Sequence, residues 1–198
     1  MILHSLTMKN FGPYKIEQTV AFPHAASANL VVIYGENMRG KTSFLNAIRW
    51  CLYGEAIGRG RRLLPFAEIT NYDARERGDY LTVVALVFSH DEMMWRLTRS
   101  INRAPLVADP RKNEDYATTL ALERNGHHIA SERIPEEINR ILPHEVSRFF
   151  LFDGELLGEY EELVTADSRR ALGIMTSIEN ILGVPALIRT RDELVPLV

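Results

Sequence analysis

Residues 35–42 read Gly35-Glu36-Asn37-Met38-Arg39-Gly40-Lys41-Thr42. The spacing G-x-x-x-x-G-K-[ST] is that of a phosphate-binding loop. Glycines allow a backbone path along which successive N–H groups converge on anionic oxygens. The flanking residues suit such a loop. Residues 29–34, Asn-Leu-Val-Val-Ile-Tyr, form a short apolar run that predicts a buried strand. After the loop, Phe44, Leu45, Ile48, Cys51 and Leu52 recur at helical spacing. A helix that starts where the loop ends adds partial positive charge to the anion site. In this pattern Lys41 reaches the β- and γ-phosphates and the Thr42 hydroxyl ligates Mg²⁺. Average residue usage gives about one accidental match per hundred chains of this length. With a strand before the loop and a helix after it, a plain glycine turn is the weaker reading.

Composition narrows the class. The chain has 198 residues, 46% hydrophobic and 25% charged, which is ordinary for a soluble globular protein. No apolar run approaches the roughly 18 residues that span a membrane, and the N-terminus has no signal-peptide pattern. The single cysteine excludes an internal disulfide, and Cys51 lies on the apolar side of the helix after the loop, so burial is expected. These features fit the cytoplasm. The net charge of −3 argues against a generally basic nucleic-acid binder. Its distribution is uneven. Residues 1–152 hold 19 Lys and Arg against 17 Asp and Glu, whereas residues 153–198 hold 4 against 9. Contact with DNA would therefore need a local patch.

Residues 2–11 read as a strand. Phe11-Gly12-Pro13-Tyr14 has turn chemistry, and Ile16, Gln18, Val20 and Phe22 alternate as a second strand hairpinned to the first. Gly54 is a helix terminator. Residues 55–79 are polar and read as an irregular loop, with Arg59, Arg61 and Arg62 as the best phosphate-facing cluster against the plainer reading of a solvated surface. Residues 80–88 and 93–101 predict two strands joined at Ser89-His90-Asp91-Glu92. Residues 118–123 and 127–130 flank Arg124-Asn125-Gly126, a tight hairpin signal, and His127 and His128 read as exposed turn residues rather than metal ligands. Residues 134–142 predict a short helix with Pro135 in its first turn. Phe149-Phe150-Leu151-Phe152-Asp153-Gly154-Glu155 reads as a buried strand that leaves the core at Gly154, with carboxylates at its end. The remainder is helical by its apolar spacing, and it stops abruptly at Val198.

Several of these residues resemble one family. A first strand ending in Lys9-Asn10-Phe11-Gly12-Pro13-Tyr14, followed some twenty residues later by a phosphate loop, resembles the start of SMC-like ATPases, the ABC-type group that includes RecF. The run FFLFDGE at 149–155 and the stretch Ser177-Ile178-Glu179-Asn180-Ile181-Leu182-Gly183-Val184-Pro185 are similar to the DndD family, the SMC-like ATPase of bacterial DNA phosphorothioation and restriction systems. The resemblance spans residues 2 to about 195. It implies an ATPase head split in sequence: an N-terminal lobe with the phosphate loop, a long coiled coil, and a C-terminal lobe with the signature serine, an Asp-Glu pair and a switch histidine. No Leu-Ser-x-Gly-Gln-type signature and no apolar run ending in Asp-Glu follows residue 100, so this chain reads as the first lobe and the root of the coil, cut short at Val198.

The resemblance carries over to Gly35, Asn37, Arg39, Gly40, Lys41, Thr42 and Ser43 in the loop, with Met38 where the group usually has a third glycine. It implies that Lys9 and Asn10 face the nucleotide. It places Asp153 at the position of the Q-loop glutamine, where an aspartate can ligate a water on Mg²⁺ because hard cations prefer oxygen; capping of the following helix is the plainer role. The expected fold is α/β, a P-loop NTPase head lobe at 1–155 with a helical arm at 156–198. The expected ligands are ATP and Mg²⁺. The expected partners are a second head in a homodimer, the missing C-terminal lobe, and DNA with other modification or restriction proteins. Two alternatives stand: a self-contained P-loop kinase using Asp153 and Glu155, and a non-catalytic scaffold gated by nucleotide.

Overall fold

Alternation in the first ten residues sets the first layer. In β1 (Ile2–Phe11), Leu6 and Met8 are fully buried while Ser5, Thr7 and Lys9 between them are only partly covered. The computed structural model describes residues 1–23, 29–36, 39–58, 60, 62–147 and 150–151. The chain divides into units 1–141 and 142–198. Of the second unit, the described residues are 142–147, with a short helix at His144–Ser147, and 150–151.

Among the described residues, six strands form one antiparallel sheet in the order β2-β1-β3-β4-β5-β6. The other strands are β2 (Tyr14–Ala21), β3 (Thr82–His90), β4 (Met93–Arg103), β5 (Tyr116–Arg124) and β6 (His127–His128). Register aligns the apolar face. Leu6 lies opposite Leu86, Leu86 opposite Leu97, and Leu97 opposite Leu122, and all four are fully buried. A slip of one residue in any strand would turn its row to water, so this pattern specifies the pairing. The turn at Asn125-Gly126 has φ of 49° and 80°, the left-handed pair that Asn-Gly supplies at low cost. Arg124 and His127 close it, and Met94 of β4 ties it down, its N–H donating to the Asn125 side-chain oxygen at 2.8 Å.

Helix α1 (Lys41–Tyr53) lies on the apolar face against β1, β3 and β4. Phe44, Ala47, Ile48, Trp50, Cys51 and Leu52 are buried, and the Phe11 and Trp50 rings meet at 5.6 Å. Gly54 ends the helix in the left-handed region and donates its N–H to the Trp50 carbonyl at 2.8 Å. Short helices α2 (Phe66–Ile69) and α3 (Tyr72–Glu76) follow. Helix α4 (Ile134–Ile141) buries Ile134 and Ile138 and packs near β5.

The structure corrects three expectations. Residues 29–34 are not a strand. Leu30, Val32 and Tyr34 are 78%, 78% and 96% exposed. An apolar run forms a strand only where neighbouring backbone takes its N–H and C=O groups, and no described strand lies beside this one. The described part of residues 55–79 is more ordered than its polarity suggested. It contains α2, α3 and an isolated bridge between Ile57 and Leu63, and Thr70 bridges to Phe11 of β1. Within the FFLFDGE run, Phe150 and Leu151 form a turn rather than a strand, and Phe150 is exposed. Asp153, Gly154, Glu155 and the expected helical arm lie outside the described residues.

Candidate nucleotide-binding loop

The loop closes on itself. The Arg39 N–H donates to the Glu36 carbonyl at 3.4 Å, and the Arg39 guanidinium pairs with the Glu36 carboxylate at 3.3 Å on the surface. Lys41 folds back so that its ammonium donates to the carbonyls of Gly35 at 2.6 Å and Glu36 at 3.0 Å. The lysine therefore stands at the mouth of the loop with a positive charge that remains solvent-accessible. Thr42 is exposed in the first turn of α1, and Ser43 is partly covered. Asn37 and Met38 lie outside the described residues.

Gly40 makes the corner. Its φ is 103°, a conformation that side chains rarely adopt, and a Cβ there would meet the Pro13 ring at 2.7 Å. Helix α1 begins at the next residue, so its unpaired N–H groups open toward the loop. Lys41, Thr42, Gly35 and Gly40 thus lie together, with Arg39 on the rim. Unpaired backbone donors, an ammonium and an exposed hydroxyl are the donor set that a polyphosphate with a hard divalent cation requires.

The first hairpin reaches the loop, but through different residues from those expected. Asn10 is 2% exposed, and its amide is turned inward. Its Nδ2 donates to Asp79 at 2.8 Å and to the Leu81 carbonyl at 3.1 Å, while its Oδ1 accepts from the Ile16 N–H at 3.2 Å. Lys9 pairs in register with Glu17 and Val83, on the face away from Leu6 and Met8. The contacts to the loop come from Gly12, Pro13 and Tyr14. A Cβ at Gly12 would sit 3.5 Å from the Ser43 side chain, and the Tyr14 hydroxyl donates to the Gly40 carbonyl at 3.0 Å. The Gly-Pro-Tyr turn was visible in the sequence, but a turn signal carries no information about what it will touch.

The hairpin tip is clamped from behind. The Gly12 N–H donates to the Ile69 carbonyl at 2.6 Å, and the Asn71 side chain donates to the Gly12 carbonyl at 2.7 Å. Lys15 pairs with Asp73. The arginine cluster is not a free cationic patch in its described part. Arg62 makes a two-pronged pair with Glu68, at 3.0 and 2.5 Å. That pairing lowers the Glu68 pKa and raises that of Arg62. Arg59 and Arg61 lie outside the described residues. His127 and His128 are exposed, and no group able to hold a metal occurs among the described residues.

A phosphate loop at the junction of an antiparallel sheet and a packed helix defines an α/β domain of the P-loop NTPase class. The chain belongs to the AAA domain family, whose model matches residues 5–179. It is 26% identical over 174 residues to the SbcC component of the nuclease SbcCD from Vibrio cholerae serotype O1, a match covering 83% of this chain and 16% of the relative. It is 37% identical over 73 residues to the DNA replication and repair protein RecF of Acetivibrio thermocellus, covering 37% of this chain and 17% of the relative. The matches thus span about a sixth of the length of these relatives. The family and both relatives support the N-terminal lobe of an SMC-like ABC ATPase. No helix among the described residues is long and apolar enough to cross a membrane.

Proposed function

We propose that this chain is the ATP-binding lobe of an SMC-like ATPase head that acts on DNA in repair, modification or restriction. The observation that carries the reading is the closed loop with the Lys41 ammonium held at its mouth by the Gly35 and Glu36 carbonyls. Lys41 binds the terminal phosphates, and Gly35, Asn37, Arg39, Gly40 and Ser43 shape or line the cradle. Thr42 holds Mg²⁺, which supplies charge neutralisation on the phosphates when bound. Asp153 is proposed as a further oxygen donor toward the metal's waters. Lys9 is proposed to add positive charge near the nucleotide, and Asn10 to contribute through the turn it holds.

Hydrolysis is assigned to the completed head. The apolar run at 29–34 leads directly into the loop and is exposed, which leaves an apolar segment beside the loop for another lobe to cover. A C-terminal lobe would cover it, a second head would close over the nucleotide, and a coiled-coil arm would follow from the second unit. Head closure would be a population shift driven by contacts that the terminal phosphate makes in the closed state. The FFLFDGE run favours the DndD-like branch, acting in DNA phosphorothioation and restriction.

Mg-ATP binding and turnover by the chain, measured beside Lys41→Ala, test this reading. Lys41-dependent binding with negligible turnover supports it. Robust turnover by the chain alone would instead support a self-contained P-loop enzyme, and no binding at all would reject the nucleotide site.

A further inference from the structure

The carbonyl of Gly40 accepts two hydrogen bonds. One comes from the Phe44 N–H at 2.9 Å, as the first turn of α1 demands. The other comes from the Tyr14 hydroxyl at 3.0 Å, across from the tip of the first hairpin. A peptide unit is planar and trans, so this carbonyl and the Lys41 N–H form one rigid plate and point in opposite directions. Holding the oxygen from two sides therefore sets the direction of the Lys41 N–H. That N–H is one of the unpaired donors at the start of α1, on the side where the phosphate cradle opens.

The hairpin also restrains the plate by packing. The Pro13 ring lies so close to Gly40 that a Cβ there would come within 2.7 Å of it, and Gly12 abuts Ser43. The tip itself cannot easily move away. Gly12 is held by Ile69 and Asn71, and the Asn10 side chain holds the Ile16 N–H at a residue whose φ of 54° is strained for a β-branched side chain. Desolvation raises the Tyr14 pKa, so the phenol keeps its proton and its donor role at neutral pH.

We infer that Tyr14 is a positioning residue for the phosphate cradle, its hydroxyl fixing the Gly40–Lys41 peptide so that the Lys41 N–H faces the bound anion. The inference rests on the nucleotide-binding reading of the loop. Removing the hydroxyl leaves the ring and its packing in place but frees one side of the plate.

The test is Tyr14→Phe in the full chain, beside wild type and Lys41→Ala. Three quantities are read: affinity for Mg-ATP and Mg-ADP, melting temperature without nucleotide, and the Lys41 amide resonance without nucleotide. One neutral hydrogen bond corresponds to about a three- to tenfold loss of affinity, expected equally for both nucleotides because both present phosphate to the loop. The Lys41 amide resonance should move, while the melting temperature falls by no more than about 2–4 °C. A variant that melts lower but binds as wild type does, with an unmoved Lys41 amide, shows Tyr14 to be merely structural and overturns the inference. Lys41-dependent binding in the wild type keeps the nucleotide reading intact in that case. Absence of binding in the wild type overturns the nucleotide reading itself, and the inference with it.

Discussion

Arg99, in the middle of β4, donates from its Nε to the carbonyl of Cys51 in the last turn of α1, at 3.1 Å. A second guanidinium nitrogen reaches the Leu52 carbonyl at 3.4 Å. The side chain lies on the apolar face of the sheet, in register with Val84, and its guanidinium sits 6.0 Å from the Trp50 ring centre. Burial pulls its pKa below the ordinary arginine value, but it stays cationic. A half-buried positive charge at a helix C-terminus is favourable because unpaired carbonyls gather there. Gly54 leaves the room: a Cβ at that position would come within 3.2 Å of the guanidinium.

Arg99→Met should keep much of the apolar stem and lose the donors and the charge. The expected cost is about 1–3 kcal/mol of stability, read by urea denaturation. A midpoint equal to wild type would show that the contact adds nothing net.

Asn10 separates a folding role from a ligand role. Asn10→Ala removes three hydrogen bonds from a buried position and puts a Cβ-bearing residue without a polar side chain at φ 51°. It should cost about 2–4 kcal/mol. Asn10→Gly relieves the backbone part and should recover up to about 1 kcal/mol of that loss. Two equally unstable variants would show that the side-chain bonds alone matter.

Lys41→Ala should behave in the opposite way. The ammonium is exposed and bonds only to carbonyls that water can also reach. Stability without nucleotide should change by less than about 1 kcal/mol, while ATP affinity drops by at least about tenfold through loss of a charge-assisted contact. Calorimetric titration paired with a melting curve checks both halves.

Cys51 is buried against the Val84 and Leu97 carbonyls, each 3.5 Å from its sulfur. Burial pushes the thiol up to about 12 from an ordinary value of 9.0. The native thiol thus keeps its proton where the unfolded one has lost it. The stabilisation is complete below pH 9 and is lost as pH rises from there toward 12. A thiol reagent at pH 8 should react only at the rate of unfolding. Prompt labelling of the native chain would contradict the burial.

Gly40→Ala should disturb the loop more than the fold. Its φ of 103° and the Pro13 ring both oppose a methyl group. Loss of nucleotide affinity should exceed the loss of stability, and an affinity equal to wild type would mean that this corner need not be left-handed.

Much of this architecture is legible in the amino-acid sequence. Alternation in β4 and helical spacing in α1 were readable because each has one face in the core, and Asn125-Gly126 and Gly54 marked turns by backbone chemistry that is local. The phosphate-loop motif was legible for the same reason: its spacing encodes a conformation within eight residues. Where the reading failed, the deciding partner was remote. The run at 29–34 has the composition of a strand and lacks a neighbour among the described residues. Asn10 stands two residues before Gly12 at the tip, yet Asp79 and Leu81 draw its amide inward.

Local residue order was enough to define the class of site, since two glycines, a lysine and a threonine at fixed spacing before an amphipathic helix leave few other uses. It was also enough to mark most strands of the sheet, through alternation in β2 and β4 and the apolar run of β3. Which side chains serve the loop emerged from the folded chain alone. Tyr14 reaches Gly40 across 26 positions and Arg99 reaches Cys51 across 48. Such contacts depend on where a hairpin tip or a strand centre comes to rest against a helix end. That is set by the packing of whole elements, and no local pattern of residues expresses it.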